Sequence, residues 1–190
     1  DIIAAINPDA RIEVVTVGVT ADNLAALAGE ADVVVDGLDL AVSLELRALL
    51  FAAARRHAAY CVSSPAVGFG TLVAASLPGG MPMDPGVALL RAVGRHGLPP
   101  AMGRYFAAPT LAALNRELPR GKVPSIAVGP ALCAACSATE VAAALAARAG
   151  CGAREPLALP RVLAVDALAM TCRVVTIDEL QAAVAGGATS

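Results

Sequence analysis

Two aspartates three residues apart, Asp36 and Asp39, end the stretch 32–39 (DVVVDGLD). Val33, Val34 and Val35 read as the core of a short strand, so Asp36 falls on its last rung and Asp39 just beyond it. A carboxylate past the carboxyl end of a parallel strand stands where open α/β sheets bind ligands, and it is a hard oxygen donor suited to Mg²⁺ held against phosphates. For either aspartate the competing role is to cap the next helix or to close a turn. Arg47, eight residues further on, is suited to neutralising phosphate charge, or else is a solvated charge on a helix.

The other reactive residues read differently. Cys133 and Cys136 form a C-x-x-C, but structural zinc takes four ligands and the sequence holds no second pair. Both fall in a stretch of small residues with helical character, where positions three apart share a face, so they are expected to be buried in a helix without zinc. Gly68 and Gly70 are followed by a strand, whereas a phosphate cradle needs a helix after it, so they read as turn or bulge glycines. His57 and His96 have no cysteine or carboxylate at motif spacing and read as surface residues.

These residues belong to a chain of 190 residues, a length within the range of a single domain. Its 14 basic and 16 acidic residues leave a net charge of -2, which provides neither a basic surface for nucleic acid nor an acidic tail. Mean hydropathy is +0.69, inflated by alanine. The longest apolar stretch, 125–145, contains Gly129, Pro130 and Glu140, and fits a buried helix better than a membrane span. Five scattered cysteines and no secretory signal indicate a reducing, cytoplasmic setting. The chain opens on Asp1, and 2–6 reads like the end of a helix that begins upstream, as in a fragment.

The pattern predicts strands at 11–19 (RIEVVTVGV), 32–36 and 60–64, alternating with helices from Thr20 and over 43–58. Such β-α-β units require parallel pairing. The strand 71–76 follows Gly68-Phe69-Gly70 with no helix between, and is expected to pair antiparallel at an edge of the sheet. A loop at 78–86, two weak helices across 87–122, a long helix over 125–149, a closing pair of strands at 161–165 and 172–177, and a loose tail at 186–190 complete one continuous α/β domain.

Three stretches, in order, resemble the ThiF/MoeB/HesA family, relatives of ubiquitin-activating enzyme. The first runs from Ile6-Asn7-Pro8 through 32–39 to Arg47; the second is 68–78 (GFGTLVAASLP). The third joins Ala138-Thr139-Glu140 to Val165-Asp166-Ala167-Leu168-Ala169-Met170, similar to the family's closing helix and final hairpin. The chain departs from the family in Leu40, where an asparagine is usual, and in about three extra residues between Asp39 and Arg47.

The resemblance implies a Rossmann-like, mostly parallel sheet with antiparallel edge strands, truncated at its N-terminus so that the family's glycine-rich nucleotide loop is missing. It implies an adenylyltransferase that uses ATP and Mg²⁺ to activate the terminal carboxylate of a ubiquitin-like or sulfur-carrier protein, working as a homodimer. Asp39 is then the metal-binding and nucleotide-binding residue, Arg47 a second nucleotide contact, and Asp36 a supporting residue. The family's thioester-forming or persulfide-forming members carry a cysteine in the segment matching 79–123, which has none here. On the stretch shown alone, activity is not expected. The rival reading is a non-catalytic binding or scaffolding relative, and a nicotinamide-dependent dehydrogenase would share the sheet without the Asp-x-x-Asp or the hairpin.

Overall fold

The structure, a computed structural model, describes residues 2–39 and 43–186, apart from the side chain of His96. Leu40 and the tail 187–190 lie outside the described residues.

The chain begins with α1 (Ile2–Ile6), whose residues are all exposed. The expected strand at 11–19 does not form. Its aliphatic side chains remain open to solvent, with Val14 76% and Val17 77% exposed. An apolar β-branched run becomes a buried strand only where neighbouring strands complete its hydrogen bonds and elements cover its faces. None of the described residues does either for 11–19. The helix expected from Thr20 is shorter, α2 (Leu24–Ala28), and its Leu24 and Ala28 are buried against Ala53.

From here the alternation holds. β1 (Val33–Asp36) leads to α3 (Leu44–Arg56), which starts where the Ser43 hydroxyl accepts a hydrogen bond from Leu46 N. Glu45 in its first turn and Arg55 and Arg56 in its last complement the helix dipole. β2 (Tyr60–Ser63), the two-residue β3 (Ala66–Val67) and β4 (Gly70–Ser76) follow. Then come α4 (Asp84–His96), α5 (Ala108–Glu117), the long α6 (Val128–Arg148), the hairpin of β5 (Arg161–Asp166) and β6 (Thr171–Thr176), and α7 (Ile177–Ala185).

The sheet runs β1-β2-β4-β5-β6, with β3 beside β4. The architecture is mixed α/β and Rossmann-like. Among the described residues β1 and β2 pair in parallel and the remaining pairs are antiparallel. The parallel part is therefore smaller than expected, because 11–19 is not a strand. β4 is antiparallel as expected but lies inside the sheet, since β5 pairs with its second edge and leaves β1 and β6 outermost.

One face of the sheet carries the larger core. Phe51 of α3, Leu89 of α4, Leu111 and Leu114 of α5 and Leu180 of α7 pack there with Met102 and Phe106. The region 87–122, expected to hold two weak helices, thus supplies much of the core, and α4 begins inside the expected loop, at Asp84. The other face packs Tyr60, Val62, Val73 and Ala75 against Ala144 of α6 and against Leu157. α6 is long and apolar enough to cross a membrane, yet it lies along β4 and β2. Only 17% of its most apolar window is buried, so the expected buried helix is covered on one face alone.

Candidate functional site

A cleft of about 390 Å³ opens at the carboxyl ends of β1 and β2. β1 contributes Val35 and Asp36, the following turn Gly37, Leu38 and Asp39, and the end of β2 Ser63, Ser64 and Pro65. The parallel register sets Asp36 opposite Ser63, so both strands deliver polar side chains to the same end of the sheet.

The far wall is the start of α6, with Pro130, Cys133, Ala134 and Ser137. Two glycines bring this wall close. Gly68 turns the chain with φ +57°, a conformation that L side chains rarely adopt, and a Cβ on Gly129 would lie 2.5 Å from the carbonyl oxygen of Gly68. Helix and turn therefore meet backbone to backbone, and Ser137 reaches a hydrogen bond with Ser64 across the cleft. Gly68 belongs to the β3–β4 turn, as its sequence context indicates.

Asp36 is 7% exposed and its carboxylate is fully engaged. Oδ2 accepts from Arg47 Nε at 2.8 Å and from the Ser63 hydroxyl at 2.7 Å, and Oδ1 accepts from Leu38 N at 3.1 Å. Arg47 is not a solvated helix charge: it is 2% exposed, and its Nη2 donates to the carbonyls of Leu38 and Asp39. Nη1 is buried without a hydrogen-bond partner. Each charge is desolvated, and the pair is tolerable because ion pairing and several hydrogen bonds compensate together. Burial, with a smaller contribution from the Asp36 charge, pushes the Cys61 thiol up to about 12, so Cys61 is a protonated packing residue.

Asp39 lies where the sequence places it, beyond the last rung of β1, exposed and lining the cleft. Both Asp36 oxygens accept from protein donors and its side chain is 1% exposed, whereas Asp39 is exposed at the mouth. Among the described residues no group of three or more His, Cys, Asp or Glu is arranged to hold a metal ion. That donor set does not suit an all-protein cage. It does fit Mg²⁺, which is bound through one or two carboxylates together with substrate phosphates.

Cys133 and Cys136 are on α6 as expected but are half-buried rather than buried. Burial, and to a lesser extent the nearby thiols of Cys172 and Cys133, pushes the Cys136 thiol up. His57 is exposed. Sequence reasoning missed Ser63, Ser64, Ser137 and Cys133 as cleft residues. The signal for the two serines was present, since they end the strand parallel to the one that carries Asp36.

The family model described as the ThiF family matches residues 1–184, nearly the whole chain. Among curated proteins, none matches. The match covers the cleft, the sheet and the closing hairpin alike, and on it the chain belongs to the ThiF family.

Proposed function

We propose that this protein is an ATP-dependent adenylyltransferase that activates the terminal carboxylate of a small ubiquitin-like or sulfur-carrier protein. The family supports activation of such carriers in general terms. The observation that supports the reading most is the placement of Asp39 at the mouth of a cleft at the carboxyl ends of a parallel strand pair, on a loop fixed by a buried arginine.

In the reaction a carboxylate oxygen of the carrier attacks the α-phosphorus of ATP. The bond from that phosphorus to the bridging oxygen breaks, and pyrophosphate leaves with its electron pair; no proton moves. Such chemistry depends on positioning and charge neutralisation more than on a protein nucleophile. Asp39 would hold Mg²⁺, which supplies charge stabilisation at the phosphates when bound. Asp36 and Arg47 hold the Asp39 loop, and α6 closes the cleft from the other side, limiting the access of water to an acyl-adenylate. We place the protein in the cytoplasm as a homodimer.

Exchange of labelled pyrophosphate into ATP, dependent on the carrier protein, tests this in the full-length protein. Asp39→Asn should suppress the exchange by removing one charge and a hard oxygen ligand. Exchange unaffected by Asp39→Asn would remove the metal role. Carrier binding with no exchange even in the unsubstituted protein would favour the non-catalytic relative, a reading supported by the lack of cysteine in 79–123.

A further inference from the structure

We infer that Arg47 is a positioning residue: it sets the Asp39 carboxylate at the cleft mouth and does not itself contact the nucleotide. This rests on the reading of Asp39 as the metal ligand.

Four observations carry it. The guanidinium is anchored at one end, with Nε on Asp36, and Asp36 is itself fixed by the Ser63 hydroxyl on the adjacent strand. At its other end Nη2 reaches two successive carbonyls, those of Leu38 and Asp39, so one planar group spans strand end and loop. Leu38 N closes the turn on the other oxygen of Asp36. Lastly, Nη1, the nitrogen left for a phosphate, is shut off from solvent, and the whole side chain is 2% exposed. Arg47 stands in the wall of the cleft, but Nη1 lies beneath its surface, and a phosphate oxygen would reach it only by displacing the groups that cover it.

The geometry also explains why arginine stands here. A guanidinium presents its donors in a rigid fork that can face a carboxylate and a backbone loop at once. A lysine ammonium in the same space keeps the charge but not the fork, so the loop would lose its register while the buried aspartate kept a counter-charge. Residues that orient metal ligands typically cost tenfold or more in metal affinity when they are changed.

The test uses full-length protein with ATP and Mn²⁺, which favours oxygen ligands as Mg²⁺ does. Protein-bound Mn²⁺ is followed by its enhancement of water-proton relaxation over that of the free Mn·ATP complex, well below the thermal midpoint of each variant. Arg47→Lys should weaken Mn²⁺ binding about tenfold, while ATP affinity measured by calorimetry in EDTA stays unchanged. A fall in ATP affinity in EDTA would mean direct phosphate contact and would overturn the inference. So would Arg47→Lys that lowers the thermal midpoint but leaves Mn²⁺ affinity intact while Asp39→Asn reduces it. If Asp39→Asn leaves Mn²⁺ binding untouched, the metal reading of Asp39 falls, and the positioning role with it. Should Arg47→Lys not fold, Asp36→Asn decides: it loosens the anchor, so a smaller drop in Mn²⁺ affinity supports the inference and no drop overturns it.

Discussion

Two carboxylates are buried on opposite faces of the sheet, each paired with an arginine, and they are closed to solvent in different ways. Asp36 meets an arginine that is 2% exposed, whereas Glu140 on α6 meets Arg154, whose side chain is 48% exposed. Both tie distant segments together. Asp36 fixes the loop at the cleft. Glu140 accepts from Arg154 and from Leu157 N, and the carbonyl of Leu157 in turn accepts from the Tyr60 hydroxyl. β2 touches both sites, since the Ser63 hydroxyl donates to Asp36 and the Tyr60 hydroxyl donates to the residue whose amide Glu140 holds. The same chemistry therefore makes a sealed strut at one place and a half-open clasp at the other. Water can replace a lost partner only at the second.

The sharpest way to break this comparison is Arg47→Ala. It strands a buried carboxylate and should lower unfolding free energy by about 3–5 kcal/mol, read from denaturant midpoints. Glu140→Gln should cost less, about 2 kcal/mol, because it weakens hydrogen bonds to a charged group beside solvent. Equal losses would show that exposure of the arginine does not matter.

Alkaline pH probes both faces together. Burial chiefly, helped by Asp36 and Glu140 respectively, raises the Cys61 thiol and the Tyr60 hydroxyl above their usual values. A raised folded-state pKa gives stability that is fully present below the unfolded value and lost as pH climbs toward the folded one. For Cys61 that window runs from about 9 to about 12. Each titrating group should contribute a slope of about 1.4 kcal/mol per pH unit. Tyr60→Phe should reduce the slope in urea melts above pH 10, and an unchanged slope would count against the Tyr60 shift. The smallest expected stability change is for Asp39→Asn, within about 0.5 kcal/mol, while exchange activity falls. A larger loss would make Asp39 part of the strut rather than its cargo.

Much of the architecture was legible in the residues, and the failures have physical causes. The segment 11–19 is richer in β-branched residues than 161–166 (RVLAVD). Only the second is a strand, because β4 and β6 pair with both its edges, whereas the local pattern of 11–19 says nothing about whether a partner edge is at hand. α7 went unread although Thr176 and Glu179 form a capping box at its start, a signal visible in T-I-D-E. The core contribution of 84–122 was obscured by its glycines and prolines, which interrupt the helical period without preventing short helices from packing. The position of Asp39 beyond the end of β1 followed from the run of valines before Asp36. The burial of Arg47 did not, because only folding brings Asp36, eleven residues away, against it.

The outer edge of β1 has one further consequence. Among the described residues it pairs with β2 alone, and it carries Val35 at 52% exposure. An unpaired row of amides that carries an exposed valine is a template for intermolecular strand addition. Colloidal behaviour should therefore be dominated by this corner: turbidity would rise with protein concentration and kosmotropic salt, and a lysine at Val35 would delay it by placing charge on the template.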